Sequence, residues 1–146
     1  MANPIIKVYS ADGTVQELSA SNPLAVQTVS GAAGSGLADD ANLIYITGTT
    51  AAAGVTTLIA APGAGLRIVV SAFMVQNESA VATTVLMRQG GATAFRALLQ
   101  TQGAALSGSF LAGREWKLPA NAALNLNLSA ANSHGYSVVY YTESTG

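Results

Sequence analysis

Alternation of apolar and polar residues at every second position is the clearest pattern in this chain, and it predicts β-strands. The segment AALNLNLS puts leucines on one face of an extended chain and polar residues on the other, at Leu124, Leu126, Leu128, Asn125, Asn127 and Ser129. We therefore expect the leucines to lie in a core and the asparagines to face outward.

Short apolar segments recur from Leu43 onward at roughly the 8–12-residue spacing of β-sandwiches and β-barrels. Turn residues such as Pro62-Gly63 and Gly90-Gly91 separate them. For Thr93–Leu99, TAFRALL, a helix is the alternative because Ala, Leu and Arg favour helices. We predict eight strands, near Leu43–Thr47, Val55–Ala60, Leu66–Gln76, Val81–Arg88, Ala94–Leu99, Leu106–Leu111, Ala122–Ser129 and Tyr136–Glu143.

The longest apolar stretch, Val55–Asn77, raises the question of a membrane span. Pro62-Gly63-Ala64-Gly65 interrupts it, and β-branched residues flank this turn, so two buried strands are predicted and no membrane segment. Leu66–Gln76 is apolar on both faces, as is Tyr136–Tyr141, so we expect a neighbouring subunit or the N-terminal arm to cover the outer side, and favour the subunit. The predicted faces of the first strand are Leu66, Ile68, Val70 and Met74 against Val69, Phe73 and Val75.

The N-terminal part of the chain predicts a hairpin followed by an arm. Ile5–Ser10 and Thr14–Leu18 flank Asp12-Gly13, a dipeptide typical of type I′ turns. Ala20–Asn42 is rich in Gly, Ala and Ser, which is typical of a flexible linker. We therefore predict a hairpin and extended arm over 1–42 and a β-sandwich over 43–146. The opening MANPIIKVYS lacks the pattern of a secretion signal, so we expect the mature protein to begin near there.

Composition favours a protein that stays in contact with other subunits. The chain has 146 residues, 50% of them apolar and only 9% charged, with a net charge of −1. Such a surface repels neighbouring copies weakly. The six lysines and arginines are scattered, so no basic face for nucleic acid is expected. Cysteine is absent, which excludes disulfides and thiolate chemistry.

Residues able to carry chemistry are few. His134 is the only histidine, and we expect it in an exposed polar turn. Asp39-Asp40 fits a solvated linker, with a weak calcium contact between chains as the alternative. Neither the GAAGSG segment at 31–36 nor Ser107–Ser109 has the surroundings of a phosphate loop or a nucleophile elbow. We therefore predict no catalytic, cofactor-binding or metal site, and rank a small hydrolase using His134 last.

Three phrases give the chain a family resemblance: TTLIAAPGAGLRIVV, FLAGREWKLPANAALNLNLSAA and GYSVVYYTE. The chain resembles the small jelly-roll proteins of tailed-bacteriophage virions, in particular those that decorate or cement the capsid. The resemblance implies an all-β, antiparallel two-sheet sandwich that assembles as a trimer on the shell, with an arm reaching an adjacent subunit. It also implies a structural protein made in the bacterial host cytoplasm, located on the capsid surface and bound to the major capsid protein, without enzymatic activity or cofactor.

Candidate contact residues follow from this hypothesis, although the same residues could belong to the core. For the arm they are Ile5, Val8, Tyr9 and Val15, and for subunit contact Phe73, Val75, Trp116, Tyr140 and Tyr141. The alternative function is a receptor- or carbohydrate-binding module of a tail fibre or tip. Its stacking and hydrogen-bonding set would be Trp116, Asn132, His134 and Tyr136.

Overall fold

The computed structural model describes residues 6–9, 15–18 and 42–146, and the chain divides into two units, Met1–Ser35 and Gly36–Gly146. The described residues form eleven strands and no α-helix, and hence contain no helix that could span a membrane. The predicted arm over residues 20–41 and the Asp12-Gly13 turn lie outside them. The strands are β1 (Ile6–Tyr9), β2 (Val15–Leu18), β3 (Ile44–Thr50), β4 (Gly54–Ile59), β5 (Leu66–Asn77), β6 (Thr83–Gln89), β7 (Ala92–Leu99), β8 (Ala105–Ser109), β9 (Trp116–Lys117), β10 (Leu124–Leu128) and β11 (His134–Ser144).

The N-terminal unit contains the predicted pair of strands. β1 and β2 are antiparallel, with Ile6 opposite Leu18 and Tyr9 opposite Val15. This pairing confirms the hairpin. The boundary between residues 42 and 43 stays a prediction.

Two antiparallel sheets make up the second unit. One has five strands in the order β3-β11-β5-β8, with β9 also beside β5, and the other has four in the order β4-β10-β6-β7. This arrangement confirms the all-β, two-sheet sandwich. Eight of the nine strands match predicted segments, whereas the two-residue β9 was missed because so short a strand leaves no alternation to read.

The core lies between the two sheets. Leu124, Leu126 and Leu128 of β10 are almost completely buried in it, as their alternation predicted. The helical alternative for Thr93–Leu99 is wrong, since this segment is part of β7 and packs Phe95, Ala97 and Leu99 against the core. Inward residues at every second position suit a strand, whereas a helix would bury a 3.6-residue period.

A bulge at Ser71 decides which side chains of β5 face the core. Val70 pairs with Tyr140 and Ala72 with Val139, so Ser71 has no partner across β11. The extra residue shifts the alternation by one. Ile68, Val70, Phe73 and Val75 consequently share the core face, and the prediction that Phe73 and Val75 face away from Ile68 and Val70 was wrong.

Candidate contact surface

The side of the five-stranded sheet that faces away from the core carries few charges along its length. Because side chains alternate across paired strands, the register places these residues on one face. We call this surface the neutral face. Its members are Tyr45, Thr47 and Thr49 of β3, Ser137, Val139 and Tyr141 of β11, Ala72, Met74 and Gln76 of β5, and Ser107 and Ser109 of β8.

Two large side chains of the neutral face are open to solvent, Tyr45 at 69% and Met74 at 42% exposure. Two shallow depressions, of about 350 and 390 Å³, lie on this face, and both are lined in part by Met74 and Ser137. The first is bordered mainly by small side chains, including Ala72, Ser107 and Ser109. The surface thus has exposed apolar side chains next to shallow depressions that small residues line. Such a surface is better suited to contact with another protein than to binding a small polar ligand.

Charged groups lie at the two ends of this face. At one end Glu143 accepts hydrogen bonds from Arg67 Nε at 2.7 Å and Lys117 Nζ at 3.0 Å. At the other end Glu78 accepts a hydrogen bond from Ser133 Oγ. The long middle of the face therefore carries no formal charge.

The pKa values of two groups on this face are shifted further away from neutral pH. Burial acts to raise the pKa of the Glu143 carboxyl, but hydrogen bonds from Lys117 and Arg67 outweigh it, so this pKa lies below its ordinary 4.5. Burial, with the negative charges of Glu115 and Glu143, raises the pKa of Tyr141 above its ordinary 10.0. Glu143 thus stays ionised and Tyr141 stays a neutral phenol.

The outward side of the four-stranded sheet has a different character. It carries Arg88 and Arg96 on adjacent strands and the asparagines Asn125 and Asn127 of β10. Asn125 Nδ2 donates to the Gly90 carbonyl at 3.0 Å, and Arg88 donates to the Gly91 carbonyl. The sandwich therefore has one outward side without formal charge along its middle and one outward side with two arginines, and the second side also exposes the apolar residues Val55 and Leu98.

Among the predicted subunit contacts, only Tyr141 lies on the neutral face. Phe73 and Val75 are 4% and 0% exposed in the core, so neither offers a surface to another subunit. Tyr140 points to the core side, opposite Val70. The predicted arm contacts cannot be placed: Ile5 lies outside the described residues, and of Val8, Tyr9 and Val15 only the backbone strands are described.

Trp116 belongs to an aromatic cluster inside the sandwich. Its ring centroid lies 4.9 Å from that of Phe95 and 5.9 Å from that of Phe73, both in edge-on arrangements. Its indole Nε1 donates to Gln89 Oε1 at 3.0 Å. This satisfied, half-buried ring packs with the core, which is the interpretation the sequence left open beside subunit contact.

His134 is fully buried, and the prediction of an exposed turn histidine was wrong. It is the first residue of β11 and pairs with Thr50 and Asn77, so it continues the inward alternation of Tyr136, Val138 and Tyr140. Its Nδ1 lies 2.8 Å from the Asn132 carbonyl, which can only accept, so Nδ1 carries the proton. Among the described residues, Nε2 has no hydrogen-bond partner.

Asn77 and Asn132 link the two loops beside His134. Asn77 Nδ2 donates to the carbonyls of Val81 and Leu99 at 2.8 and 3.2 Å, and its Oδ1 accepts from Ser79 N. Asn132 Oδ1 accepts from Thr83 Oγ1 at 2.8 Å. We call Asn77, Ser79, Thr83, Asn132 and His134 the polar end cluster; it is a structural network that satisfies loop groups.

The set proposed for carbohydrate binding does not form one exposed site. Trp116 lies in the aromatic cluster, His134 is buried, and Tyr136 packs against the core beside Gly48. Asn132 is engaged in the polar end cluster. Within the described residues, no group of three or more His, Asp or Glu side chains is arranged to hold a metal ion.

Sequence reasoning missed Tyr45, Met74 and Val139 as surface residues. Met74 was placed with Ile68 and Val70, a consequence of the bulge. Tyr45 and Val139 could have been assigned to the surface by extending the alternation of Leu43–Thr47 and Tyr136–Glu143, since each lies directly beside an inward-facing residue in its strand.

A scan against models of known protein families found no match for this chain, and a search of curated proteins found no relative.

Proposed function

We propose that this protein is a structural component of a bacteriophage virion that binds and stabilises the capsid shell through contacts bridging shell subunits. The observation that carries the proposal is the neutral face, on which Tyr45 and Met74 are exposed and the long middle has no formal charge. The family resemblance supplies the identity of the partner, the major capsid protein. The proposed role is mechanical and involves no catalysis or cofactor.

The neutral face suits lasting contact with protein because little charge must be desolvated on it. Burying a formal charge without a partner is costly, whereas burying Tyr45 and Met74 is favourable by about 25 cal/mol per Å². Its charged ends can stay hydrated at the rim of a contact, where Arg67 and Lys117 already neutralise Glu143. This arrangement resembles the apolar centre and polar rim of protein interfaces.

The size of the face favours several weak contacts over one strong contact. Four strands about 4.8 Å apart and roughly nine residues long give on the order of 500 Å² per copy. Stable interfaces bury about 800 Å² on each partner. One copy would thus bind weakly, and an oligomer that engages several shell subunits would bind firmly through its effective concentration. The trimer implied by the resemblance is one such oligomer and a dimer is another, since the argument requires only more than one copy.

Binding to shells tests the proposal. Purified protein would be mixed with shells of the phage that encodes this chain, prepared without it, and the bound fraction measured after sedimentation. We expect Met74→Glu to weaken binding at least tenfold, because it buries a charge in the contact. Leu98→Glu is the matched control, since Leu98 is a 56% exposed apolar residue on the outward side of the four-stranded sheet.

Two results would contradict the proposal. One is wild-type protein that does not sediment with the shells at any concentration tested. The other is equal loss of binding in Met74→Glu and Leu98→Glu, which would move the contact away from the neutral face. Circular dichroism of both variants checks that the sandwich is intact.

A further inference from the structure

The four edges of the sandwich differ in how they are protected against pairing with another chain. Natural edge strands are blunted by charges, bulges, proline or shortness, because a free edge presents unpaired N–H and C=O groups. β7 carries Arg96 and a bulge in its pairing with β6, and β4 is irregular in its pairing with β10. The far edge of the five-stranded sheet is broken into the five residues of β8 and the two of β9.

β3 has none of these protections. Its seven residues, IYITGTT, contain no charge and no proline, and their register with β11 runs without a shift from Ile44 to Thr50. Among the described strands β3 pairs with β11 alone, so none of them uses the hydrogen-bonding edge on its second side. Ile44 and Tyr45 are 44% and 69% exposed.

We infer that β3 pairs with β3 of a second copy of this chain, antiparallel and about a two-fold axis. Overlap of the whole strand puts Thr47 opposite Thr47 of the second copy, and Tyr45 opposite Thr49. The pairing joins the five-stranded sheets of two molecules into one sheet of ten strands. Cross-strand Thr–Thr and aromatic–β-branched neighbours are favourable pairs in antiparallel sheets.

A second copy fits this edge better than the N-terminal hairpin does. β1 and β2 have four residues each and carry Lys7 and Glu17, whereas β3 offers a seven-residue partner without charge. An identical strand therefore matches the edge in length and in neutrality. β4, which follows β3 after three residues, is also uncharged, so a copy approaching β3 meets no charged neighbouring strand there.

Single cysteines give a direct test, because the chain has no cysteine of its own. In the full-length protein, Thr47→Cys should form a covalent dimer under mild oxidation, since opposed residues lie about 5 Å apart between Cβ atoms. Thr93→Cys is the matched control, an exposed threonine on the edge strand β7, and should form at least tenfold less dimer. Thr49→Cys should also fail to form the covalent dimer, because residue 49 of the second copy lies four residues away along the paired strands.

Mass measurement completes the test. We expect light scattering to give a dimer or a multiple of it for the wild type, unchanged by salt, and Thr47→Lys to shift the equilibrium at least tenfold towards smaller species while Thr93→Lys does not. A wild-type monomer at tens of micromolar, a trimer, or equal cross-linking of Thr47→Cys and Thr93→Cys would overturn the inference. Cross-linking within one chain in the double variant Thr47→Cys, Gln16→Cys would instead assign the edge to the hairpin and also overturn it.

Discussion

Gly108 on β8 lies beside Phe73 on β5, and this close approach makes it a sensitive probe of the core. The two residues are directly opposite in register. A methyl group at position 108 would lie 2.7 Å from Phe73 Cε1 and 3.2 Å from its Cζ. The Phe73 ring cannot easily move away, because the rings of Phe95 and Trp116 pack against it at centroid distances of 5.2 and 5.9 Å.

Gly108→Ala should therefore destabilise the sandwich. Forcing an extra methyl into a well-packed core costs typically about 1–3 kcal/mol. In a chain of this size about 2 kcal/mol corresponds to a fall of roughly 6 °C in the midpoint of thermal unfolding. Gly91→Ala is the matched control, since nothing lies within 4 Å of its added methyl and its φ is not positive. We expect that variant within about 0.5 kcal/mol of the wild type.

The assay is urea unfolding followed by circular dichroism, with thermal scans alongside. Combining Gly108→Ala with Phe73→Leu tests the cause, because a smaller residue at position 73 should remove most of the cost of the methyl group. The two changes should then be strongly non-additive. If Gly108→Ala is as stable as Gly91→Ala, or if its cost is the same with Phe73 and with Leu at position 73, the packing argument is refuted.

Two further predictions concern polar groups. Asn77→Ala should lower the free energy of unfolding by about 2–4 kcal/mol, measured by urea titration, because the fully buried Asn77 side chain donates to the carbonyls of Val81 and Leu99 and accepts from Ser79 N, and all three hydrogen bonds are lost. Glu143→Gln should cost less than about 1 kcal/mol at pH 7, since its ion pairs with Arg67 and Lys117 are partly exposed. Because the pKa of Glu143 is lowered on folding, its contribution is complete above pH 4.5 and is lost as the pH falls through the lower folded-state value. The difference in midpoint between wild type and Glu143→Gln should thus shrink in thermal scans from pH 7 to pH 3.

Much of the strand layout could be predicted from the sequence because local signals agree there. In β10 the leucines alternate with asparagines, and the buried and outward sets follow directly. The turn at Pro62-Gly63 is equally readable, and Gly63 has a φ of 108°, a value that glycine adopts readily. Where one face is apolar and the other polar, period and composition give the same answer.

The faces of β5 could not be predicted because both of its alternating sets are apolar. The bulge at Ser71 is a property of pairing with β11, and the small residues around it leave no distinct local pattern. An undetected one-residue shift reverses every later side chain. This single error placed Phe73 and Val75 on the surface and left Met74 out of the contact set.

His134 was misplaced for a different reason. Its neighbours Asn132, Ser133 and Gly135 are turn residues, and they outweighed the alternation that leads back from Tyr136. Burial of a polar ring is costly unless its nitrogens are hydrogen-bonded, and the Asn132 carbonyl accepts from one of them, Nδ1. His134 and Asn132 are two positions apart in the sequence, but the sequence does not show how the backbone turns between them.

The proposed pairing along β3 and the proposed contact through the neutral face would reinforce each other geometrically. A two-fold axis between antiparallel edge strands stands perpendicular to the sheet, so both neutral faces end on the same side. Their combined area is on the order of 1,000 Å², twice that of one copy and within reach of a stable contact. Thr47→Lys should therefore weaken shell binding for two reasons, since it removes the pairing and also places a charge on the neutral face. Met74 lies two strands away from the edge, so Met74→Glu should weaken shell binding and leave the dimer intact. An assembly in which Met74→Glu separates the copies would place the copy-to-copy contact on the face and not along the edge.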